Sequence, residues 1–517
     1  MAATPDRRSS GTDGSSDRQL TVDLDDWPLS LDPYHVVDFN QGLVLDALTD
    51  PLTREQPSVQ GAQRAVPAAL ESLESEDDGY SWRLRAAPGQ TWGDGSPVLP
   101  VDIAAGVHRA WGPTAFTLPD TVARPRIGVR EDAGGAFVEV VSPIPLPYLP
   151  ELLAFPGAAP VRETDGAGWT ASGPYRPVRA DRRRGRIELL RAPSRRSRAH
   201  PAAAERLVFQ VYGERTDAVA AFDAGELDVC FSTGLEPSMF AALAERADAK
   251  VRPLALAGRL WVRPGIDSLL ATPEGRAAFS AGWDRETVSA ALSGTVLPLH
   301  NYRQLWSGAA PEARPVAVSD EAVPLRAPRG SRAELTLTYA DFPPNDVVAR
   351  ALARDVESRF GHRVRLRPLE FAAFAAAVVA VDYELLHCIS PAPFAHPAAL
   401  LTPLHSATSG ARALGLCDPA IDTALERALR TPRGAGGDDA WREAEEVVLR
   451  RAPVVPLFRA NSVTLRRTGL PAPDVPPCGL VGLERLGPGR GAQGRTDPLS
   501  TCLPRTSIPT ARRAAST

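Results

Sequence analysis

The stretch from Asp78 to Asp102, DGYSWRLRAAPGQTWGDGSPVLPVD, decides the fold of this chain. Trp82 and Leu84 alternate with arginines, which predicts a strand with one buried face. The glycines and the proline of the second half predict turns. Pro100 suits the first turn of a helix, where the helix dipole favours the acid at position 102. The stretch therefore predicts a strand, a turn and a helix that ends at about Trp111.

A second stretch, residues 335–369, carries the pattern of a β-α-β unit. Apolar residues alternate at its start, recur every four residues from Val348 to Phe360, and alternate again after Gly361. Such a unit implies two parallel strands joined by a right-handed crossover. Together the two stretches predict a mixed α/β protein.

The length and the net charge limit the kinds of protein to which this chain can belong. A chain of 517 residues can bury a large core, and its length suggests roughly three domains. The net charge of -4 argues against nucleic-acid binding and against a polybasic membrane anchor. The arginine-rich run at 182–198 lacks interleaved aromatic residues, so we interpret it as a solvated hairpin face and not as an anion or nucleic-acid patch.

The sequence offers no established catalytic or metal-binding motif. The five cysteines, at positions 230, 388, 417, 478 and 502, form no CxxC pair. His387, Cys388, His396 and His405 are too widely spaced for a usual metal site. The GxGxxG match at 489–494 has no strand before it and carries almost no weight. We therefore predict no catalytic residue, no metal and no cofactor.

The two ends of the sequence give expectations about cellular location and about disorder. Residues 1–20 are polar and lack the apolar segment of a secretory signal, and the first cysteine, Cys230, comes too late for a lipoprotein anchor. The sequence as it stands predicts a cytoplasmic protein, whereas a signal lost upstream of the start would make it extracytoplasmic. Residues 1–19 and 487–517 have the composition of disordered segments.

The Trp82 stretch resembles the lobe signature of the extracellular solute-binding proteins of family 5, which are the dipeptide, oligopeptide and nickel receptors of ABC importers. Ser172-Gly173-Pro174-Tyr175 is similar to the "GTGPY" loop of that family. Further similarities, at 31–33, 283–286 and 452–458, extend the resemblance from about residue 31 to about residue 470. It implies a class II periplasmic-binding-protein-like α/β fold, with two lobes around a ligand cleft and an extra α/β domain.

The resemblance also implies where the domains lie. Lobe I would be discontinuous and would comprise residues 20–40, 168–262 and 455–486. The extra domain would span 41–167, and lobe II would span 263–454. Two strands would link the lobes, which permits hinge closure around a ligand.

The same resemblance implies a set of ligand-binding residues in the cleft: Tyr34, Ser172, Tyr175, Cys388, Ile389, Ser390, Phe394 and His396. In peptide-binding members, the segment that corresponds to 388–397 pairs with the peptide as an added strand, and its aspartate holds the peptide's amino terminus. Here Pro393 or a close neighbour replaces that aspartate. Pro391 and Pro393 also remove two backbone donors.

Two functional hypotheses follow. The first is the substrate-binding component of an ABC-type importer for peptides or related solutes, a non-catalytic monomer that docks on permease subunits. The second is a cytoplasmic protein of the same fold, reused as an enzyme or as a ligand carrier in specialised metabolism. The extent of the resemblance favours the first, and the missing signal with the altered 388–397 segment favours the second, because a fold does not fix a function.

Overall fold

The computed structural model describes residues 19–33, 39–57, 63–111, 124–164, 168–192, 204–232, 235–263, 266, 269–305, 334–392, 394–432 and 436–470. Tyr34, Pro393 and nearly all of the predicted disordered ends lie outside these ranges.

The described residues form strands and helices in mixed order. The strands are β1 Gln19–Leu24, β2 Thr53–Pro57, β3 Gln63–Pro67, β4 Leu70–Glu76, β5 Ser81–Ala86, β6 Arg126–Asp132, β7 Gly135–Val141, β8 Val161–Thr164, β9 Gly168–Ala171, β10 Tyr175–Asp181, β11 Arg186–Arg191, β12 Arg206–Val211, β13 Val229–Ser232, β14 Ala249–Val262, β15 Val296–Pro298, β16 Glu334–Ala340, β17 Arg363–Leu369, β18 Leu385–Pro391 and β19 Val454–Arg466. The helices are α1 Phe39–Leu48, α2 Pro100–Ala110, α3 Leu149–Leu152, α4 Arg215–Ala224, α5 Pro237–Ala244, α6 Pro273–Gly282, α7 Arg285–Ala291, α8 Asn345–Phe360, α9 Phe371–Ala380, α10 Ala398–Leu401, α11 Ser409–Leu414, α12 Pro419–Arg430 and α13 Gly437–Arg451.

A sheet of 11 strands forms the frame of the molecule, with the order β10-β11-β12-β1-β13-β19-β14-β18-β16-β17 and β15 beside β19. Its two long strands, β14 and β19, run antiparallel and lie in the middle of this order. The start of β14 and the end of β19 pair next to β13. The end of β14 pairs with the start of β19 on one side and with β18 on the other. These two strands, here called the crossing strands, therefore continue from one half of the sheet into the other.

The crossing strands are irregular at their centre. Their pairing shifts register between Pro253 and Ala257 and again between Gly258 and Arg259. A Cβ atom at position 258 would lie 2.3 Å from the ring of Phe458 on the partner strand, so only glycine fits this contact. Bulges of this kind bend a strand and redirect its side chains.

The predicted strand, turn and helix of the Trp82 stretch are confirmed. Trp82 and Leu84 are buried in β5, which lies in a four-stranded antiparallel sheet of order β4-β5-β7-β6. Helix α2 begins at Pro100, and the Asp102 carboxylate accepts a 2.7 Å hydrogen bond from the backbone N–H of Leu99. The helix packs its apolar face on this smaller sheet, in the same hydrophobic cluster as Trp92.

The predicted β-α-β unit is also confirmed. Strands β16 and β17 pair in parallel, and α8 joins them. Helix α8 ends at Gly361, whose φ of 74° is the left-handed conformation that favours glycine. None of the helices in the described part of the chain combines the length and apolar character that crossing a membrane requires.

Candidate ligand-binding site

The predicted cleft segment is the strand β18, which pairs with the crossing strand β14. Leu256 lies opposite Pro391, Gly258 opposite Ile389, and Arg259 opposite Cys388. The candidate site is thus built on the crossing strand β14 and its neighbour β18, next to the register shift of β14.

Arg259, the residue opposite Cys388, carries a positive charge, and only 8% of its surface is exposed. Its guanidinium carbon lies 5.2 Å from the ring centroid of Trp261, two residues further along β14. One terminal nitrogen donates a hydrogen bond to the Ser390 hydroxyl of β18, whereas the buried Nε–H reaches no acceptor among the described residues. No carboxylate in the described part of the chain lies within 4.0 Å of this guanidinium.

Tyr302 is fully buried beside the same guanidinium. Burial raises the pKa of its hydroxyl to about 12, and the positive charge of Arg259 acts against this rise. The backbone N–H groups of Tyr302 and Arg303 both donate to the buried carboxylate of Glu445, which also accepts from the Arg303 side chain at 2.6 Å. Glu445 therefore fixes the turn that carries Tyr302 toward Arg259.

The structure places three predicted ligand-binding residues in this site. Cys388, Ile389 and Ser390 are partly buried on β18, and the Cys388 thiol is free. Ser390 contacts Arg259, while Ile389 packs on the hydrophobic cluster around β16 and α8. Successive side chains of a strand face opposite sides, so Cys388 and Ser390 share one face and Ile389 lies on the other.

Phe394 and His396 are used in packing. Phe394 stacks on the ring of Tyr148 with centroids 5.9 Å apart. The His396 ring lies 5.1 Å from Tyr148 and 5.2 Å from Trp441, and its Nδ1 accepts a 3.1 Å hydrogen bond from the N–H of Ala398. Their predicted contact with a ligand remains a prediction, and their burial between α3 and α13 gives them a structural role of their own.

The other predicted residues lie in a different part of the sheet. Tyr175 begins β10 and donates a 3.0 Å hydrogen bond to the carbonyl of Ala204. The Ser172 hydroxyl is buried and has no hydrogen-bond partner among the described residues. Gly173 packs on α1 so closely that a Cβ would lie 2.0 Å from the Leu48 carbonyl oxygen. This contact fixes the loop that presents Ser172.

The histidines and the cysteine that were considered as metal ligands do not come together in one site. His387 is buried on β18, where its Nδ1 lies 3.2 Å from the carbonyl oxygen of Arg259 and desolvation lowers its pKa to about 4. His405 instead lies near Asp422 and Glu426. Among the described residues, no three histidine, cysteine or acidic side chains are grouped so that they could hold a metal ion.

The acids near the 388–396 segment each accept a hydrogen bond or form an ion pair. Glu384, which precedes β18, accepts a 2.7 Å hydrogen bond from the N–H of Thr336, and Asp382 pairs with Arg367 at 2.8 Å. Glu55 of β2 accepts a 3.1 Å hydrogen bond from the N–H of Ala395. Sequence reasoning missed Glu55, Arg259 and Tyr302, and no motif could have shown that they meet the segment.

Comparison with known proteins agrees with this architecture. Residues 64–410 match the family described as "Bacterial extracellular solute-binding proteins, family 5 Middle". The Escherichia coli murein tripeptide binding protein MppA is similar, with a TM-score of 0.74, 18% identity, and coverage of 91% of this chain and 98% of that chain. Haemophilus influenzae OppA, in complex with RPPGFSPFR, has a TM-score of 0.73, 18% identity and the same coverages.

A third similar structure has agropinic acid as its ligand. The PBP AgaA from A. tumefaciens R10, in complex with agropinic acid, has a TM-score of 0.73, 16% identity, and coverage of 92% of this chain and 99% of that chain. At such identities these likenesses show the fold. No curated protein matches the chain.

Proposed function

Because the chain belongs to family 5 of the bacterial extracellular solute-binding proteins, we propose that it binds one small or peptide-like solute between two lobes and delivers it to the permease subunits of an ABC importer. Lobe I comprises residues 20–40, 168–262 and 455–486 in this proposal, and lobe II comprises 263–454. Residues 41–167 form the extra domain. The protein acts as a monomer outside the cytoplasmic membrane, where this family normally works.

The observation that carries this proposal is the path of β14 and β19. They run through both halves of the large sheet, with their register shift at the centre. Two strands that join two bodies permit a hinge motion, and a solute that contacts both bodies favours the closed state. The binding energy is thereby converted into a shape that a permease can recognise, without any catalytic step.

The ligand-binding surface is proposed to include Ser172 and Tyr175 from lobe I and Cys388, Ile389 and Ser390 from lobe II, with Tyr34, Phe394 and His396 at its margins. The ligands named for the similar structures are a murein tripeptide, the peptide RPPGFSPFR and agropinic acid. We expect the ligand of this chain to be a small solute or a peptide-like compound.

Native mass spectrometry of the purified protein tests this function. We expect a bound small molecule to appear as a mass increment that is lost on denaturation. Calorimetry with the identified compound should then give a stoichiometry of one. The proposal fails if no increment is found and no member of a panel of peptides and small solutes gives a heat of binding.

A further inference from the structure

The guanidinium of Arg259 is a buried positive charge for which the described residues supply no negative partner. It lies on a crossing strand, with Trp261 on one face and the Ser390 hydroxyl at one terminal nitrogen. A guanidinium has five N–H donors, and a buried donor without an acceptor costs about 1–3 kcal/mol. The native protein therefore maintains an unfavourable arrangement at the centre of its candidate site.

Other arginines of this chain make the hydrogen bonds that are typical of a structural role, and they provide a comparison for Arg259. Arg276 and Arg285 are each 7% exposed, close to the 8% of Arg259. Arg276 donates to the backbone carbonyl oxygens of Leu270, Ala271, Arg451 and Ala452. Arg285 donates to the carbonyl oxygens of Ser280, Trp283, Leu299 and Pro456. Arg459, which is partly buried, donates to the carbonyl oxygens of Leu254 and Gln304.

Arg259 differs from all three because the described residues provide no such set of carbonyl acceptors. Its one hydrogen bond to a described residue goes to a hydroxyl, and hydroxyls are weaker partners for a guanidinium than carboxylates. Stacking on Trp261 occupies a face of the planar group and leaves its N–H edge for hydrogen bonding. The Tyr302 hydroxyl lies near the same group and can itself donate to an anion.

We propose that Arg259 binds a carboxylate group of the transported solute, with the hydroxyls of Ser390 and Tyr302 beside it. A carboxylate matches the planar N–H fork of arginine in a bidentate pair. The ligand class is thus a solute with a free carboxylate and no free amine at this point. This inference rests on the proposed function, since it assigns one group of the ligand to one side chain of that site.

The unliganded protein gives the first test. If the guanidinium of Arg259 serves ligand binding, its replacement removes an unfavourable buried charge from the unliganded protein. The variant Arg259→Met should therefore have an unchanged or higher melting temperature. Arg276→Met is the matched control, and it should lower the melting temperature because it leaves four buried carbonyl oxygens with fewer donors. A comparable loss in both variants would overturn the inference, because Arg259 would then be structural.

The second test uses N-acetylated tripeptides as free acids and as C-terminal amides, titrated by calorimetry. We expect the acids to bind the wild-type protein at least about 30-fold more tightly than the amides, the factor that corresponds to a buried charge pair. Arg259→Gln should abolish this preference. Equal binding of acid and amide overturns the inference and leaves the proposed function intact. If neither form binds, the peptide-like ligand class fails, and the stability comparison alone decides the role of Arg259.

Discussion

Tripeptides with an acetylated amino terminus are expected to bind this protein at least about 100-fold more tightly than the same tripeptides with a free amine. The family resemblance implies that the position that supplies an aspartate in peptide-binding members falls at or near Pro393 in this chain. A desolvated ammonium there would lack the partner that this aspartate provides, and loss of one partner from a buried charge pair costs on the order of 3–5 kcal/mol. That cost corresponds to a factor of about 10²–10³ or more in affinity.

The structure adds a second reason for this preference. The buried guanidinium of Arg259 lies on the neighbouring strand, and it repels an ammonium in the same site. Titration calorimetry with each tripeptide in free and acetylated form measures the effect. Submicromolar binding of a free-amine peptide would contradict the expectation, and Glu55 would then be the first residue to replace, because it is the acid in contact with Ala395.

Acidification is expected to destabilise the protein through His387. Burial lowers the pKa of this imidazole from 6.5 to about 4. Below pH 6.5 the unfolded chain gains a proton that the folded chain takes up only near pH 4. The stability is therefore complete above pH 6.5 and is lost as the pH falls toward 4. The loss amounts to about 3 kcal/mol for this one group.

The variant His387→Gln isolates this contribution. Glutamine can still donate a hydrogen bond to the Arg259 carbonyl oxygen but does not titrate, so its stability should vary less with pH. His108→Gln is the control, because His108 is exposed in the last turn of α2. Urea unfolding at several values between pH 7 and pH 4 gives the comparison. A pH dependence equal to that of the wild-type protein would show that His387 is accessible to protons in the folded state.

The parts of the fold that the sequence predicted are those set by local rules. The buried face of β5, the proline at the start of α2 and the glycine that ends α8 each act within one element. The spacing of the hydrophobic residues and the residues typical of helix ends specify such elements without reference to the rest of the chain.

The candidate site could be predicted only in part, because its contacts join residues far apart in the chain. Arg259 and Ser390 are 131 positions apart, and Tyr302 comes from a turn that Glu445 fixes from 143 positions away. Resemblance to a family supplied Ser390. The pairing of β14 with β18 was needed to show that Arg259 lies next to it.

Phe394 and His396 have a packing role that the sequence did not show. Their position in the predicted cleft segment suggests ligand contact, which stays a prediction, and the structure shows that their rings pack on Tyr148 and Trp441. Trp441 lies on α13, and Tyr148 lies just before α3. An alignment of the segment alone does not show that these two elements are close to it. Burial of aromatic side chains contributes strongly to packing, which explains why this end of the segment is part of the core.

Solution scattering with and without ligand tests the central claim, that this chain encloses a solute between two lobes. The ligand should be the compound identified by native mass spectrometry, at a concentration that calorimetry shows to be saturating. We predict a smaller radius of gyration in the liganded protein, because hinge closure about β14 and β19 brings the lobes together. An unchanged radius of gyration at saturation would contradict the account.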